Sequence, residues 1–174
     1  MDRPLANSYW VIPGRLLAGE YPIGEGGTDA RARLARLRDH RVNSFIDLTE
    51  EREMPAYRHM LPVFTTYARF AIRDQRVPSD PALLRKLLGD LTAALESKRC
   101  VYLHCRAGIG RTGLAVGCYL AELRNSGSAA LAELNTLWQQ SERSSSWPRV
   151  PQTQEQAEYI KKWPSTIKSL PAKS

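Results

Sequence analysis

The chain has 174 residues, of which 43% are hydrophobic and 25% are charged, and these proportions are ordinary for a soluble globular protein with a sizeable core. No stretch approaches the ~18 apolar residues of a membrane-spanning helix, and the first ten residues lack the apolar segment of a secretion signal. We therefore expect a cytoplasmic protein with no membrane partner. The net charge of +7 favours an anionic partner. The sequence has no block of five like charges and no arginines interleaved with aromatic residues, so nucleic acid is not the expected partner.

The first half of the chain predicts short strands and one helix. A Pro13-Gly14 turn separates two of the strands, and Thr28 is placed to cap a helix over residues 29–40. The charged segment EEREMPAY, which follows the third strand, predicts a loop. The strands are predicted within residues 9–22, 42–49 and 64–72.

The second half is richer in helix. Asp80 as N-cap and Pro81 at the first helical position open a leucine-rich helix that runs to Ser97. The remaining elements are a strand at 100–104, helices at 113–123 and 128–140, and a final helix from about Gln152 to Trp163. Residues 1–8 and about 165–174 are expected to be frayed tails.

Strands that alternate with helices define the fold class as α/β, with a central, mostly parallel sheet flanked by helices. We find no internal repeat and no domain boundary, so residues 1–174 are expected to form one domain. The three cysteines, Cys100, Cys105 and Cys118, are odd in number and lack metal-ligand spacing. No disulfide framework, metal site or other cofactor is therefore expected.

The segment HCRAGIGRTG at residues 104–113 admits three interpretations as a phosphate-binding motif. Gly108, Gly110 and Gly113 fit the dinucleotide pattern G-x-G-x-x-G, but the next segment is helical, whereas that fold requires a strand that ends in an acidic residue. The nucleotide P-loop pattern requires Gly at the position of Cys105 and Lys at that of Arg111. Neither nucleotide interpretation therefore accounts for the sequence.

The third interpretation is a thiolate that faces a guanidinium across a loop of backbone amides. A helix N-terminus, converging amides and a nearby cation stabilise a cysteine thiolate. Cys105 lies at the mouth of such a loop, and Arg111 can hold two phosphoryl oxygens at once, as a lysine cannot. The segment therefore predicts a nucleophilic cysteine in an anion-binding loop.

At these residues the chain resembles the cysteine-dependent protein tyrosine phosphatase superfamily, whose signature is H-C-x-x-G-x-x-R-[S/T]-G. The segment IRDQRVPS, 31 residues earlier, is similar to the I-x-D-x-x-x-P-S loop of the dual-specificity branch. The resemblance covers roughly residues 42–163. It implies a compact dual-specificity phosphatase-like domain that acts without a metal.

The resemblance also implies a role for each matching residue. Cys105 would attack phosphorus and form a phosphocysteine, and Asp74 would be the general acid. Thr112 would donate a hydrogen bond to the sulfur, or would only cap the helix, and His104 would tune the loop through hydrogen bonds. Gln152 or Gln156 would position water. The phosphate would be held by the loop residues Arg106, Ala107, Gly108, Ile109, Gly110 and Arg111.

Three functions stay open at this point. The first is a phosphomonoester hydrolase acting on phosphotyrosine, and on phosphoserine or phosphothreonine. The second is the same chemistry on a phosphoinositide, an inositol phosphate or an RNA 5′ phosphate, which Arg106 and the positive charge would suit. The third is an inactive phosphate-binding module. A monomer is the default assembly for each of them.

Overall fold

The computed structural model describes residues 2–24, 27 and 29–170. Within these ranges the chain forms five strands and five α-helices, the numbers that the sequence predicts. The strands are β1 (Ser8–Ile12), β2 (Leu16–Gly19), β3 (Val42–Asp47), β4 (Thr66–Arg69) and β5 (Cys100–His104). The helices are α1 (Ala30–Asp39), α2 (Pro81–Glu96), α3 (Gly110–Arg124), α4 (Gly127–Trp138) and α5 (Gln154–Ser169). Short 3-10 helices cover Arg58–Met60 and Glu142–Ser145.

The strands form one sheet in the order β1-β2-β5-β3-β4. β1 pairs antiparallel with β2 and the other pairs are parallel, which confirms the predicted α/β class with a mostly parallel sheet. At the carboxyl edge one register row crosses four strands, through Gly19, His104, Asp47 and Arg69. Ligand sites in such sheets lie beyond the carboxyl ends of the strands, so this row marks the edge where a site is expected.

The sheet is covered by helices on both faces. Val101 and Leu103 of β5 pack into a core with α2, α3, α4 and α5, whereas Tyr102 points into a smaller core with α1. Successive side chains of a strand alternate between faces, so β5 is apolar throughout because both of its faces are buried. Among the described residues, no helix is long and apolar enough to cross a membrane.

The two ends of the described chain differ from the sequence prediction. The final helix begins at Gln154, because Thr153 and Gln156 form a capping box, and it continues to Ser169 instead of ending at Trp163. Pro164 lies inside this helix and Ile167 packs against the core, which accounts for the extension. Leu5 is also buried, so the prediction of frayed tails is wrong for these segments. Thr28 and residues 171–174 lie outside the described residues.

The start of α2 is the predicted one. The Asp80 carboxylate accepts a hydrogen bond of 2.8 Å from the amide of Ala82, and Pro81 occupies the first turn. Asp80→Ala should therefore lower the free energy of unfolding by about 1 kcal/mol, since the capping acceptor is lost. Asp80→Asn should stay close to wild type, because asparagine caps about as well. Urea denaturation of the two variants tests this, and equal destabilisation would contradict it.

Candidate active site

The loop from Cys105 to Ile109, here called the cysteine loop, connects β5 to α3 at the carboxyl edge of the sheet. Cys105 is almost completely buried, and α3 begins at Gly110, so its first-turn amides and partial positive charge lie at the loop. Gly108 has φ +77°, and a Cβ on it would come within 2.7 Å of the Gly19 backbone. Glycine is therefore required there both by conformation and by space.

Arg111 lies at the start of α3 with 1% of its side chain exposed. Its Nη1 and Nη2 each donate a 2.6 Å hydrogen bond to one carboxylate oxygen of Glu53, and Nη1 also donates to the Ile72 carbonyl at 3.1 Å. Nη2 lies 3.0 Å from the Asp74 carboxylate. Within the described part of the chain, the buried Nε–H of Arg111 has no hydrogen-bond partner. One donor of a fixed guanidinium is thus left for another acceptor.

Arg111 and Glu53 each stabilise the charged form of the other. Burial by itself would lower the pKa of Arg111, but its hydrogen bonds to Glu53 and the nearby Cys105 and Asp74 raise that pKa above its ordinary value. Burial would raise the pKa of Glu53, and the hydrogen bond and charge of Arg111 outweigh that effect and lower it. Arg111 is therefore a permanent cation, and Glu53 is ionised at neutral pH.

His104 lies beneath the cysteine loop and is fully buried. Its Nε2 is 2.5 Å from the Tyr57 hydroxyl, and its Nδ1 is 3.3 Å from the Cys105 carbonyl oxygen. The pKa of His104 is lowered, because burial disfavours the imidazolium more than Asp47 stabilises it. Both nitrogens of a neutral imidazole are thus engaged, one with Tyr57 and the other with the Cys105 carbonyl.

Asp47 completes the support beneath the site. Its carboxylate is fully buried and accepts hydrogen bonds from Thr49, the Tyr67 hydroxyl and the Arg69 guanidinium. Burial would raise the pKa of Asp47, but His104 and the hydrogen bonds from Thr49 and Tyr67 lower it. An ionised carboxylate therefore ties the ends of β3 and β4 together next to His104.

Thr112 makes a different contact from the one that the resemblance implies. Its hydroxyl donates to the Gly19 carbonyl at 3.3 Å, and not to the sulfur of Cys105, because the end of β2 packs against this side of the loop. A single hydroxyl proton serves one such acceptor at a time. Thr112 therefore ties α3 to β2 in this structure.

The two glutamines both lie beside Gly110. A Cβ built on Gly110 would be 3.0 Å from Gln152 Oε1 and 3.2 Å from Gln156 Nε2. Gln156 is buried, and its amide is engaged by Thr153 and by the Arg76 carbonyl. The amide of Gln152 has no hydrogen-bond partner among the described residues. Gln152 is thus the glutamine whose amide remains available to a ligand.

The two aspartates of the 73–80 loop occupy different places. Asp74 contacts Arg111, and about half of its side chain is exposed, whereas Asp80 caps α2. Arg106 is the exposed residue of the cysteine loop, while Ala107 is partly and Ile109 largely buried. The structure therefore brings Cys105, Arg111 and Asp74 together at one site.

Sequence reasoning missed Glu53, Tyr57 and Asp47. Glu53 and Tyr57 belong to the segment EEREMPAY, which was assigned only as a charged loop. That segment follows β3 at the carboxyl edge of the sheet, where side chains of neighbouring connections meet. The position of the loop in the topology is the signal that could have pointed to Glu53.

The strand, cysteine loop and helix of this site match the signature of the cysteine-dependent phosphatase superfamily. Residues 23–125, more than half of the chain, match the family model described as "Polymorphic toxin system, DSP-PTPase phosphatase". The chain belongs to this family.

Two curated relatives are named dual specificity protein phosphatases. Dual specificity protein phosphatase CDC14AB of Danio rerio is 34% identical over 118 residues, which are 64% of this chain and 18% of the relative. CDC14A of Homo sapiens is 30% identical over 118 residues, 64% of this chain and 19% of the relative. The chain spans less than half the length of the curated relatives it matches.

The structural neighbours show the same fold at low identity. The active form of Tk-PTP superposes with a TM-score of 0.73 at 22% identity, over 91% of this chain and 97% of that chain. PTPMT1 in complex with PI(5)P gives a TM-score of 0.71 at 21% identity, over 92% of this chain and 97% of that chain.

Glu53→Gln should lower stability at pH 7 by about 1–2 kcal/mol, because the buried Arg111 loses its ionised partner. The lowered pKa of Glu53 stabilises the fold above pH 4.5, the ordinary value of a glutamate, and this contribution disappears as the pH falls through the folded value. The difference between variant and wild type should therefore shrink below about pH 4.5. Urea titrations between pH 3 and 7 test this, with the exposed Glu51→Gln as control. Parallel curves for Glu53→Gln and wild type would contradict the pairing.

Proposed function

We propose that the chain hydrolyses phosphomonoesters, with protein phosphotyrosine as its main substrate, through a phosphocysteine intermediate on Cys105. The observation that carries this proposal is the unpartnered, buried Nε–H of Arg111 beside Cys105 and Asp74. A phosphoryl oxygen would satisfy that donor, and the amides of the cysteine loop and the first turn of α3 would hold the other oxygens. No cofactor is part of the proposal.

In the first step the Cys105 thiolate attacks phosphorus in line with the leaving group. The P–S bond forms while the P–O bond to the substrate breaks, and Asp74 gives its proton to the departing oxygen. Two observations support this role for Asp74: its carboxylate contacts Arg111, and about half of its side chain is exposed to solvent.

In the second step water replaces the sulfur. Water attacks phosphorus and gives a proton to the Asp74 carboxylate, the P–S bond breaks, and the thiolate and inorganic phosphate are released. We assign the positioning of that water to Gln152 ahead of Gln156, since the Gln156 amide is engaged by Thr153 and Arg76. Thr112 would reach the sulfur only by releasing the Gly19 carbonyl.

The substrate could also be a non-protein phosphate. Arg106 is the exposed residue of the cysteine loop, and a cation there favours an acidic substrate. Turnover of phosphotyrosine, phosphoserine and phosphothreonine peptides against inositol phosphates, phosphoinositides and RNA 5′ phosphates separates these possibilities. We further propose a monomeric, cytoplasmic enzyme, with sedimentation and cell fractionation as the tests.

Cys105→Ser should lower turnover of an aryl phosphate by at least ~100-fold, because the same loop does not ionise a serine hydroxyl. Binding of inorganic phosphate should survive, since the loop amides and Arg111 are retained. Steady-state rates and calorimetric titration measure the two effects. Cys118→Ser, a buried cysteine on α3, is the matched control. A serine variant with more than a hundredth of the wild-type rate would rule out the covalent route.

Asp74→Asn should lower kcat steeply on phosphotyrosine, which has a poor leaving group, and much less on an activated aryl phosphate. It should also remove the alkaline limb of the kcat/KM profile, because that limb reports loss of the acid's proton. Asp80→Asn is the control, and it should keep both the wild-type kcat and the alkaline limb of the kcat/KM profile. If the two variants exchange behaviours, Asp80 is the acid.

A further inference from the structure

We propose that Arg143, held by Glu20, is a positioning residue that fixes the direction of the Gly108 amide in the cysteine loop. The inference rests on the proposed function, for which the loop amides must point at the phosphate. Arg143 lies in the 3-10 helix between α4 and α5, 36 residues from Ala107, and belongs to no recognised motif. Glu20, Arg33 and Arg143 are together called the outer clamp.

The argument begins with the geometry of the peptide unit. In a trans peptide the carbonyl of one residue and the amide of the next point in opposite directions. A partner that holds a loop carbonyl on the outside therefore turns the following N–H inwards. The outer partners of the cysteine loop thus decide which amides face the anion.

Three successive carbonyls of the loop are held in this way. His104 Nδ1 lies 3.3 Å from the Cys105 carbonyl, and the Tyr21 amide donates to the Arg106 carbonyl at 3.0 Å. Arg143 Nη1 donates to the Ala107 carbonyl at 2.5 Å. The first two partners are an adjacent ring and a backbone amide. The third is a side chain from a distant segment, so this contact depends on one residue identity.

The peptide unit that Arg143 holds is also one that can rotate at little cost. It precedes Gly108, whose φ is +77°. Glycine adopts positive and negative φ values at similar cost, so the backbone there does not resist rotation of this unit. A rotated unit would point the Ala107 carbonyl towards the incoming phosphate and remove the Gly108 N–H from it. A charged donor on the outside opposes that rotation.

Glu20 holds Arg143 in place. Its Oε2 accepts from Arg143 Nη2 at 3.1 Å and from Asn7 Nδ2 at 2.9 Å, and its Oε1 accepts from Arg33 Nη2 at 2.7 Å. The side chains of Glu20, Arg33 and Arg143 are 13%, 17% and 30% exposed, so water competes weakly for these contacts. The outer clamp therefore ties α1 and the segment after α4 to the loop.

The test compares Arg143→Met, which removes every donor, with Arg143→Lys, which keeps a single donor group. Arg149→Met, an exposed arginine in the same connector, is the matched control. Three quantities are measured on each variant: kcat/KM for an aryl phosphate, the Kd of vanadate, and the pH dependence of Cys105 alkylation by iodoacetamide. Circular dichroism melting reports the fold.

Arg143→Met should lower kcat/KM and vanadate affinity by about 10- to 100-fold. Without Arg143 the peptide unit rotates, and the Gly108 N–H then points away from the anion. The alkylation profile should move to higher pH, since the inward amides also stabilise the thiolate. Arg143→Lys should fall between this variant and wild type, and Arg149→Met should match wild type. A purely structural role would change the melting temperature and leave the alkylation profile of the folded protein in place.

An Arg143→Met variant that matches Arg149→Met in vanadate affinity and alkylation overturns the proposal, whatever its turnover. If Arg143→Met does not fold, Arg143→Lys and Glu20→Gln take its place, and each should weaken vanadate binding and move the alkylation profile to higher pH. Wild-type values of both quantities in both variants would overturn the proposal. If the wild-type protein turns over no phosphomonoester, the proposed function fails, while vanadate binding and alkylation still decide on the outer clamp.

Discussion

The buried ion pair between Arg111 and Glu53 is the interaction on which the rest of the site depends. Burying a guanidinium to 1% exposure costs free energy unless a counter-ion and hydrogen-bond acceptors compensate it. For Arg111, the Glu53 carboxylate supplies both, through two hydrogen bonds of 2.6 Å. The pair fixes the plane of the guanidinium and leaves Nε for an anion. It also joins the start of α3 to the loop that follows β3 and, through Ile72 and Asp74, to the segment that follows β4.

The cysteine loop is held from beneath and from outside in a comparable way. His104, Tyr57 and Asp47 form a buried support under it, in which both nitrogens of the imidazole are engaged. Glu20 and Arg143 hold its outer wall. Fixed dipoles that need not reorganise when charge arrives are what stabilises a phosphoryl transition state. The supports explain how a loop with a glycine at φ +77° keeps one arrangement.

Local signals predicted most of the fold and the centre of the site. The segment HCRAGIGRTG is one continuous strand-loop-helix unit, so its sequence alone predicts that Cys105 in the loop and Arg111 at the start of α3 lie close together. Asp80-Pro81 marked the start of α2 correctly. The final helix was predicted to end at about Trp163, whereas packing of Ile167 against the core carries it to Ser169. Propensity is a weak guide where tertiary contacts decide.

The residues that sequence reasoning missed are all joined to the site by contacts far apart in the chain. Glu53 is 58 positions from Arg111, and Arg143 is 36 from Ala107. A glutamate in a charged loop and an arginine in a polar connector have no local pattern that distinguishes them from solvated neighbours. The Thr112 contact with Gly19, 93 positions away, was missed for the same reason. Such partners become visible only when the order of the strands is known.

A crystal structure of the protein with vanadate tests the central claim most directly. The account predicts vanadium bonded to the sulfur of Cys105, with an equatorial oxygen about 2.7–2.9 Å from Nε of Arg111. Glu53 should still hold Nη1 and Nη2 of the same guanidinium. Vanadate bound away from Cys105, or bound there with Nε of Arg111 left without a contact, would contradict it.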